Sequence, residues 1–252
     1  MLSGHNIYDE KFLTFDTQNR MIMKNFYKEY VKNVTKINSA DTYLLKYLLR
    51  PFAQVIYWYL KDLNISGNTI TLLNIFILAI LTIALLAGFN SSFSFSIIFI
   101  FSALLDTLDG TAARYQAMVN GIKHLNGSIL DAVSGYLFNI TFWMAVLVIM
   151  DVNYEDKTNL LMVYLTGILS ILPRLMSKKL NETVSLSLEN NTSIFRRLDQ
   201  ELSFTGFLIP MFVCTLVTHT VPILVIFYLA FYSSQFFYVL IKIYNTHIEP
   251  EY

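Results

Sequence analysis

The sequence predicts an all-α integral membrane protein, a bundle of six transmembrane helices preceded by an amphipathic helix at the membrane surface. Hydrophobic residues make up 55% of the 252 residues, and charged residues only 14%. The hydrophobic residues concentrate in six segments that approach the roughly 20 residues a helix needs to cross a bilayer. These segments are 69–88, 92–113, 127–150, 159–177, 202–219 and 221–243. A chain of this length holds one such membrane domain, not two.

The connections between the six segments are short and contain residues that interrupt helices. Residues 88–92 predict a tight turn, and Asn120 followed by Gly121 predicts the end of the second helix. Residues 151–157 are a polar hairpin. Pro222 fits the first turn of the sixth helix, because an N–H at that position has no partner within the helix.

Residues 41–63 predict a separate helix that lies along the membrane surface. Its apolar residues recur at helical spacing, namely Leu44, Leu45, Leu48, Phe52, Val55, Ile56 and Tyr59. Basic residues between them suit contact with anionic headgroups. Asp41 is placed to cap the helix, and Pro51 predicts a kink or two short helices. The helix either packs on the membrane domain as a platform or helps to dock the acceptor.

The basic residues are distributed asymmetrically about the predicted spans. With the N-terminus in the cytoplasm, all but one of the 18 lysines and arginines lie on the inner side. The predicted organisation is a cytoplasmic segment over 1–66, a six-span domain over 67–245 and a cytoplasmic tail over 246–252. A formal net charge of zero leaves no basic footprint for nucleic acid. The single cysteine, Cys214, excludes an internal disulfide and is expected to be buried.

Three acids at membrane depth are the strongest functional candidates. Asp106 and Asp109 are three residues apart, so they share one face of the second helix, and Asp131 lies early in the third. Clustered carboxylates repel one another and lose hydration in apolar surroundings. The cluster therefore predicts a bound divalent cation, whose charge offsets theirs.

The stretch around these acids resembles the signature of the CDP-alcohol phosphotransferase (CDP-alcohol phosphatidyltransferase) family of membrane enzymes. That signature is Asp, two residues, Asp-Gly, two residues, Ala-Arg, eight residues, Gly, three residues, Asp, three residues, Asp. The chain matches its first half at Asp106, Asp109, Gly110, Ala113 and Arg114. Two departures follow, since twelve residues rather than eight separate Arg114 from Gly127, and Gly135 stands where the last Asp is expected.

The resemblance implies transfer of a phospho-alcohol group from a CDP-alcohol to a hydroxyl acceptor, with release of CMP, in phospholipid or glycoconjugate synthesis. It implies a membrane enzyme that forms a homodimer and uses Mg²⁺ or Mn²⁺, which are cations that prefer oxygen ligands. Acids corresponding to Asp106, Asp109 and Asp131 hold the metals in the family, with Asp109 placed to serve both ions. Either the donor or the acceptor could be the lipid.

The remaining motif residues are candidates for binding the CDP moiety together with Asp109. Gly110 leaves room for a phosphate or the cytosine ring, and Ala113 keeps the floor of the pocket shallow. Arg114 could bind a phosphate or hold a ligand carboxylate. Taken singly, the small residues could instead form a helix–helix contact, and the arginine could mark the inner membrane boundary.

Residues 65–71 resemble the Pro-Asn-x-x-Thr segment of the family, with Gly67 in the place of proline. By this resemblance Asn68 and Thr71 would reach the cytidine or its phosphate. The alternative is a helix N-cap supplied by Asn68 or Ser66.

The last Asp of the family signature is assigned as the general base and as a metal ligand, and Gly135 can do neither. His124 is a tentative substitute base, because its pKa is ordinarily near neutral. Asp131 or a water molecule could act instead, or the chain could be a catalytically impaired nucleotide-binding homologue. If a relocated base acts, an acid restored at position 135 is expected to be neutral or harmful, because it crowds the pocket. If turnover has been lost, the restored acid could create activity. An ion carrier is disfavoured, because a carrier has no need of the Asp-Gly-x-x-Ala-Arg run.

Overall fold

The computed structural model describes residues 42–60, 63, 65–120, 127–154, 157–183 and 201–246. The chain divides into two compact units, Met1–Asp41 and Thr42–Tyr252, and all the described residues belong to the second. Every regular element in these ranges is helical, which confirms the all-α fold. The α-helices are α1 (Arg50–Leu60), α2 (Gly67–Leu86), α3 (Ser92–Asn120), α4 (Gly127–Tyr154), α5 (Lys157–Thr183), α6 (Ile209–Val217) and α7 (Val221–Thr246). Two π-helical segments, Leu45–Leu49 and Phe204–Leu208, lead into α1 and α6.

Five of these helices contain a stretch that is long and apolar enough to cross a membrane. The stretches are Gly67–Leu86, Ser92–Ala117, Ile129–Asp151, Lys157–Ser177 and Val221–Ile241. The remaining predicted span corresponds to a shorter apolar helix, Gly206–Val217, which is roughly 18 Å long at ~1.5 Å per residue. Gly206 has non-helical backbone angles (φ −105°, ψ −125°), so the regular α-helix begins only after it. The predicted six-helix bundle is thus present as five full-length helices and one short one.

The ends of the long helices lie where the local sequence places them. Ser66 caps α2, because its hydroxyl accepts a hydrogen bond from the Thr69 N–H at 3.1 Å. Gly88 follows α2 with a φ of +89°, a conformation that glycine adopts without strain. The second long helix ends at Asn120, as predicted, and Pro222 occupies the first turn of α7.

α2 is the central helix of the three-helix group α2, α3 and α4, two of which carry the acids. α2 packs along both α3 and α4, whereas α3 and α4 contact each other much less. α5 packs between α4 and α7, and α6 contacts α3 and α7. Four aromatic side chains join α3, α4 and α6, with ring centroids 5.0–6.1 Å apart: Phe99, Phe138, Phe142 and Phe212. Phe99 and Phe138 lie seven residues from Asp106 and Asp131 respectively, so these rings form an apolar floor about two turns beneath the acids.

The predicted surface helix is a π-helical turn that continues into α1. Its predicted cap, Asp41, lies outside the described residues, and the Thr42 hydroxyl accepts a hydrogen bond from the Leu45 N–H at 3.1 Å. Pro51 falls in the first turn of α1, where proline is tolerated. The predicted break therefore takes the form of a change from π-helix to α-helix.

α1 packs against α3, the helix that carries two of the acids. It buries Ala53 and Tyr57, and the Tyr57 ring meets the Tyr115 ring edge-on at 5.4 Å. The pKa of the Tyr57 phenol is raised above its usual value, mainly by burial and to a smaller extent by the neighbouring Tyr115. The platform interpretation of this helix agrees with the packing.

Four residues of the predicted apolar face of this segment are exposed, and they lie on the side of the helix opposite Ala53 and Tyr57. They are Leu48, Phe52, Val55 and Tyr59. Their spacing of four, three and four residues makes one continuous stripe. Such a stripe is the surface expected to contact lipid.

Cys214, which we expected to be buried, is exposed. α6 buries Ile209 and Phe212, and Cys214 lies two residues beyond Phe212. Because neighbours two apart on a helix point in widely different directions, the cysteine faces outward.

Candidate active site

The three intramembrane acids come together between α3 and α4. One carboxylate oxygen from each of Asp106, Asp109 and Asp131 lies within 4.8 Å of the other two. Among the described residues, this is the group of acids, histidines or cysteines arranged to hold a metal ion. Asp109 is buried, with 8% of its surface exposed, whereas Asp106 is half-buried and Asp131 is exposed. The cluster therefore runs from the packed interior of the bundle to its surface.

The chemistry of this donor set suits a hard divalent cation. Three carboxylates supply only oxygen ligands, which Mg²⁺ and Mn²⁺ prefer. Three like charges at this separation repel one another strongly where water is scarce. A divalent cation among Asp106, Asp109 and Asp131 would remove that repulsion, so the residues fit the predicted metal.

Thr71 contacts the most buried of the acids from the neighbouring helix. Its hydroxyl, which is itself buried, donates a hydrogen bond to Oδ2 of Asp109 at 2.6 Å. The carbonyl oxygen of Gly67 lies 3.1 Å from the same hydroxyl, but a hydroxyl has one hydrogen and the carboxylate is the closer acceptor. The residue that we had considered for nucleotide binding thus orients a candidate metal ligand.

Gly67 allows the beginning of α2 to approach α3 closely. A Cβ added at this residue would lie 2.7 Å from the backbone oxygen of Asp109 and 3.2 Å from Cβ of Ala113. A side chain at position 67 would force the two helices apart. Ala113 therefore takes part in the small-residue helix contact that we had weighed for it. The sequence analysis assigned no role to Gly67. Its position directly after the Ser66 cap, at the start of a helix, could have indicated a close helix contact.

Arg114 lies beside the acids, five residues beyond Asp109 on α3. Its guanidinium folds back along the helix, with Nη1 3.4 Å from the position a Cβ would take on Gly110. Nη2 donates a long hydrogen bond to the Thr111 hydroxyl at 3.5 Å. Because Gly110 has no side chain, there is space beside it, and the Arg114 guanidinium lies at the edge of that space. The arrangement places a positive charge next to a negatively charged cluster, at an exposed position.

Asn68 is the second residue of α2, and it is half-buried. The cap that we had considered for Asn68 or Ser66 belongs to Ser66. Nucleotide binding by Asn68 remains a prediction.

Gly135, which stands where the family signature has its last Asp, has free space around it among the described residues. Among the residues that the structure describes, no atom lies within 4 Å of a Cβ added at Gly135, one turn along α4 from Asp131. In the described part of the chain nothing opposes a side chain at position 135, so these residues do not account for the crowding expected of a restored acid, although Ser134 in the same turn faces α2. His124, the tentative base, lies outside the described residues.

A family model described as CDP-alcohol phosphatidyltransferase matches residues 64–195, just over half of the chain. The matched region contains all three acids together with Thr71 and Arg114. No characterised protein and no solved structure gives a significant match.

Proposed function

Because the chain belongs to the CDP-alcohol phosphatidyltransferase family, we propose that it transfers a phospho-alcohol group from a CDP-alcohol to a hydroxyl acceptor. The observation that carries this proposal is the approach of three carboxylate oxygens to within 4.8 Å of one another. They meet despite the longer spacing between Arg114 and Gly127. Five long apolar helices agree with a multi-pass membrane transferase.

Asp106, Asp109 and Asp131 are the proposed metal ligands, with Mg²⁺ or Mn²⁺ as the ion. When bound, such an ion would neutralise negative charge on the diphosphate oxygens. The chain's own contribution is to hold the carboxylates in place before the ion arrives. Thr71 does this for Asp109 by donating a hydrogen bond of 2.6 Å to its Oδ2.

The CDP moiety is proposed to bind along the inner end of α3 and the beginning of α2. Gly110 and Ala113 let the nucleotide approach the helix backbone, and Arg114 supplies a positive charge for a phosphate. Asn68 is placed at the start of α2, whose first turn contacts α3 through Gly67. Thr71 is proposed to contribute mainly through Asp109.

The reaction breaks one bond and forms one. The oxygen of the acceptor hydroxyl attacks the phosphorus that carries the alcohol, and the bond from that phosphorus to the CMP oxygen breaks. The hydroxyl proton goes to a base, for which His124 is the proposed group and Asp131 the second candidate. The space at Gly135 is the proposed approach for the acceptor hydroxyl, because it adjoins Asp131 and none of the described residues lies within 4 Å of a Cβ built there.

The same open position favours a second candidate function. Gly135 supplies no carboxylate where the family signature has its last Asp. A homologue that binds the nucleotide and a metal ion but catalyses no transfer could have such a site, with three acids and no fourth carboxylate. The active enzyme is preferred, because three intact acids and an arginine at membrane depth are costly to retain without use.

The proposed organisation around this site follows the sequence predictions. Residues 67–245 form the catalytic membrane domain, preceded by the segment 1–66 and followed by the tail 246–252. The inner end of α3, the active site and both termini face the cytoplasm, where a nucleotide-linked donor is present. The protein is proposed to be a homodimer.

Purified protein in lipid nanodiscs is expected to release CMP from labelled CDP-alcohols in the presence of Mg²⁺ or Mn²⁺. Asp106→Asn, Asp109→Asn and Asp131→Asn should each abolish release while the protein stays folded, because each removes the charge of a ligand. Chelation should abolish release, and added metal should restore it. Thermal unfolding of each variant is the control for folding.

Two results would contradict this proposal in different ways. Normal rates in all three asparagine variants would remove the metal site. Wild-type protein that binds a CDP-alcohol with Mg²⁺ yet releases no CMP, across CDP-linked lipids and CDP-linked small alcohols, would favour the nucleotide-binding homologue. Lipids co-purified with the protein would identify whether the donor or the acceptor is the lipid.

A further inference from the structure

A buried hydrogen-bond network joins α2, α3 and α4 beneath the acids. The Asn74 Nδ2 donates to the Ser134 hydroxyl at 3.1 Å, and the Ser102 hydroxyl donates to the Asn74 Oδ1 at 2.7 Å. Asn74 is 1% exposed, Ser102 0% and Ser134 2%. In such surroundings the loss of one partner leaves an uncompensated polar group, so the three side chains hold one another strongly.

Each member of the network lies one helical turn from a residue of the candidate site. Asn74 follows Thr71 by three residues, Ser102 precedes Asp106 by four, and Ser134 follows Asp131 by three. Residues three or four apart lie on the same helix face, about 4.5–6 Å apart along the axis. The network is therefore a second layer directly beneath the layer that holds the acids.

The way the helices pack makes this layer important for the distance between the acids. α3 and α4 carry the carboxylates but contact each other little, whereas both pack along α2. The separation of their acids is therefore set largely through α2. Apolar helix contacts lack direction, and they permit small sliding movements, whereas hydrogen bonds require a particular distance and angle. Asn74 is the α2 side chain that bonds to both α3 and α4.

We propose that Asn74 is a positioning residue that sets the register of α2, α3 and α4 and so holds the three carboxylates at metal-binding distance. This inference rests on the metal site of the proposed function. A slide of one residue moves a helix by about 1.5 Å along its axis and turns its side chains by about 100°. Either change would separate Asp106 and Asp109 from Asp131.

The chain contains a matched control for general stabilisation. The Thr82 and Thr141 hydroxyls form a hydrogen bond of 2.7 Å that also joins α2 to α4. Thr82 lies eight residues beyond Asn74, and Thr141 lies seven beyond Ser134. This bond is therefore about 10–12 Å farther from the acids. Its removal should cost stability without moving the carboxylates.

The test compares Asn74→Leu with Thr82→Val in the full-length protein in nanodiscs. Mn²⁺ affinity is measured by electron paramagnetic resonance of the free ion, and stability by thermal unfolding without metal. Both variants are expected to unfold at lower temperature. Asn74→Leu should weaken Mn²⁺ binding at least tenfold, whereas Thr82→Val should change it less than twofold. Ser102→Ala and Ser134→Ala, which are milder changes, should each weaken it several-fold.

Equal Mn²⁺ affinity in wild type and Asn74→Leu would overturn the inference, and so would equal weakening by Asn74→Leu and Thr82→Val. If Asn74→Leu does not fold, unchanged Mn²⁺ affinity in both serine variants has the same meaning. Asp109→Asn is titrated in parallel to separate the two proposals. If wild type and Asp109→Asn bind Mn²⁺ equally, the metal site itself is absent, and the inference fails with it.

Discussion

The three aspartates have the same chemistry but different surroundings, and the surroundings determine what each requires. Asp131 is exposed and Asp106 is half-buried, whereas Asp109 is buried. A buried carboxylate needs hydrogen-bond donors, because it has lost its contact with water. Thr71 supplies one at 2.6 Å from the neighbouring helix.

Thr71→Val is expected to weaken Mn²⁺ binding and CMP release by about tenfold or more. A hydrogen bond to a charged group contributes ~1.5–3 kcal/mol, and about 1.4 kcal/mol corresponds to tenfold. Thr71→Ser keeps the hydroxyl and should retain most of both. Mn²⁺ titration and a CMP-release assay measure the two effects. Unchanged Mn²⁺ affinity with weakened CDP binding would instead assign Thr71 to the nucleotide.

Gly135→Asp is expected to fold normally and to bind Mn²⁺ more tightly than wild type. The Cβ of the added side chain lies within 4 Å of no atom in the described part of the chain, and the substitution brings a fourth carboxylate one turn from Asp131. Gly135→Asn is the matched control, since it has the same size and no charge. Thermal unfolding and Mn²⁺ titration decide the outcome. A large loss of stability in both variants would show that the position is not open.

His124→Ala tests the identity of the base. If His124 removes the hydroxyl proton, the variant should release CMP about a hundredfold more slowly, with donor binding little changed. Gly135→Asp added to this variant should then restore part of the rate, because a carboxylate returns to the position of the family base. A rate indifferent to His124→Ala would leave Asp131 or a water molecule as the base.

At the scale of helices, the site depends on one unusually close contact. Gly67 lets the first turn of α2 touch the backbone of α3 at Asp109 and the side chain of Ala113. The same turn of α2 begins at the Ser66 cap and continues to Thr71. The contact thus aligns the residue that orients Asp109 with Asp109 itself.

Gly67→Ala is expected to destabilise the protein by ~1–3 kcal/mol and to weaken Mn²⁺ binding. The new methyl would lie 2.7 Å from a backbone oxygen, which cannot move without moving α3. Gly135→Ala is the control, because its methyl enters open space. Denaturant unfolding and Mn²⁺ titration measure the effects. Similar behaviour of the two variants would mean that the contact is not tight.

α1 packs on this same helix. It buries Ala53 and Tyr57 in the cluster that contains Leu105, Leu108 and Ala112 of α3. Leu105 and Leu108 directly precede Asp106 and Asp109 in sequence. α1 therefore packs on the face of α3 next to the face that presents two of the acids.

For the whole molecule, the orientation in the membrane is a prediction from the basic residues. In a Cys214→Ser background, Ala117→Cys should react with an impermeant thiol reagent only from the cytoplasmic side. Lys157→Cys should react only from the opposite side, because Lys157 is the one basic residue predicted outside. Labelling of intact and opened cells measures this. The reverse pattern would place the acids where a CDP-linked donor is absent.

The class of the molecule and its candidate residues follow from local properties of the chain. Hydrophobic segments of membrane length predict helices, and residues such as Asn120 and Pro222 predict where they end. The three-residue spacing of Asp106 and Asp109 alone determines that they share a helix face. These properties depend on neighbours within one or two turns, so they can be read without knowledge of the fold.

Contacts between helices distant in the chain were decided only by the tertiary structure. Asp131 joins the other acids across a longer spacing than the family signature has, and Thr71 reaches Asp109 across 38 positions. The open space at Gly135 and the network around Asn74 likewise depend on which faces meet. The hydropathy of a sequence indicates that one face of a helix is apolar, but it does not indicate which neighbouring helix packs on that face. Close packing and directional hydrogen bonds among several helices determine that pairing together.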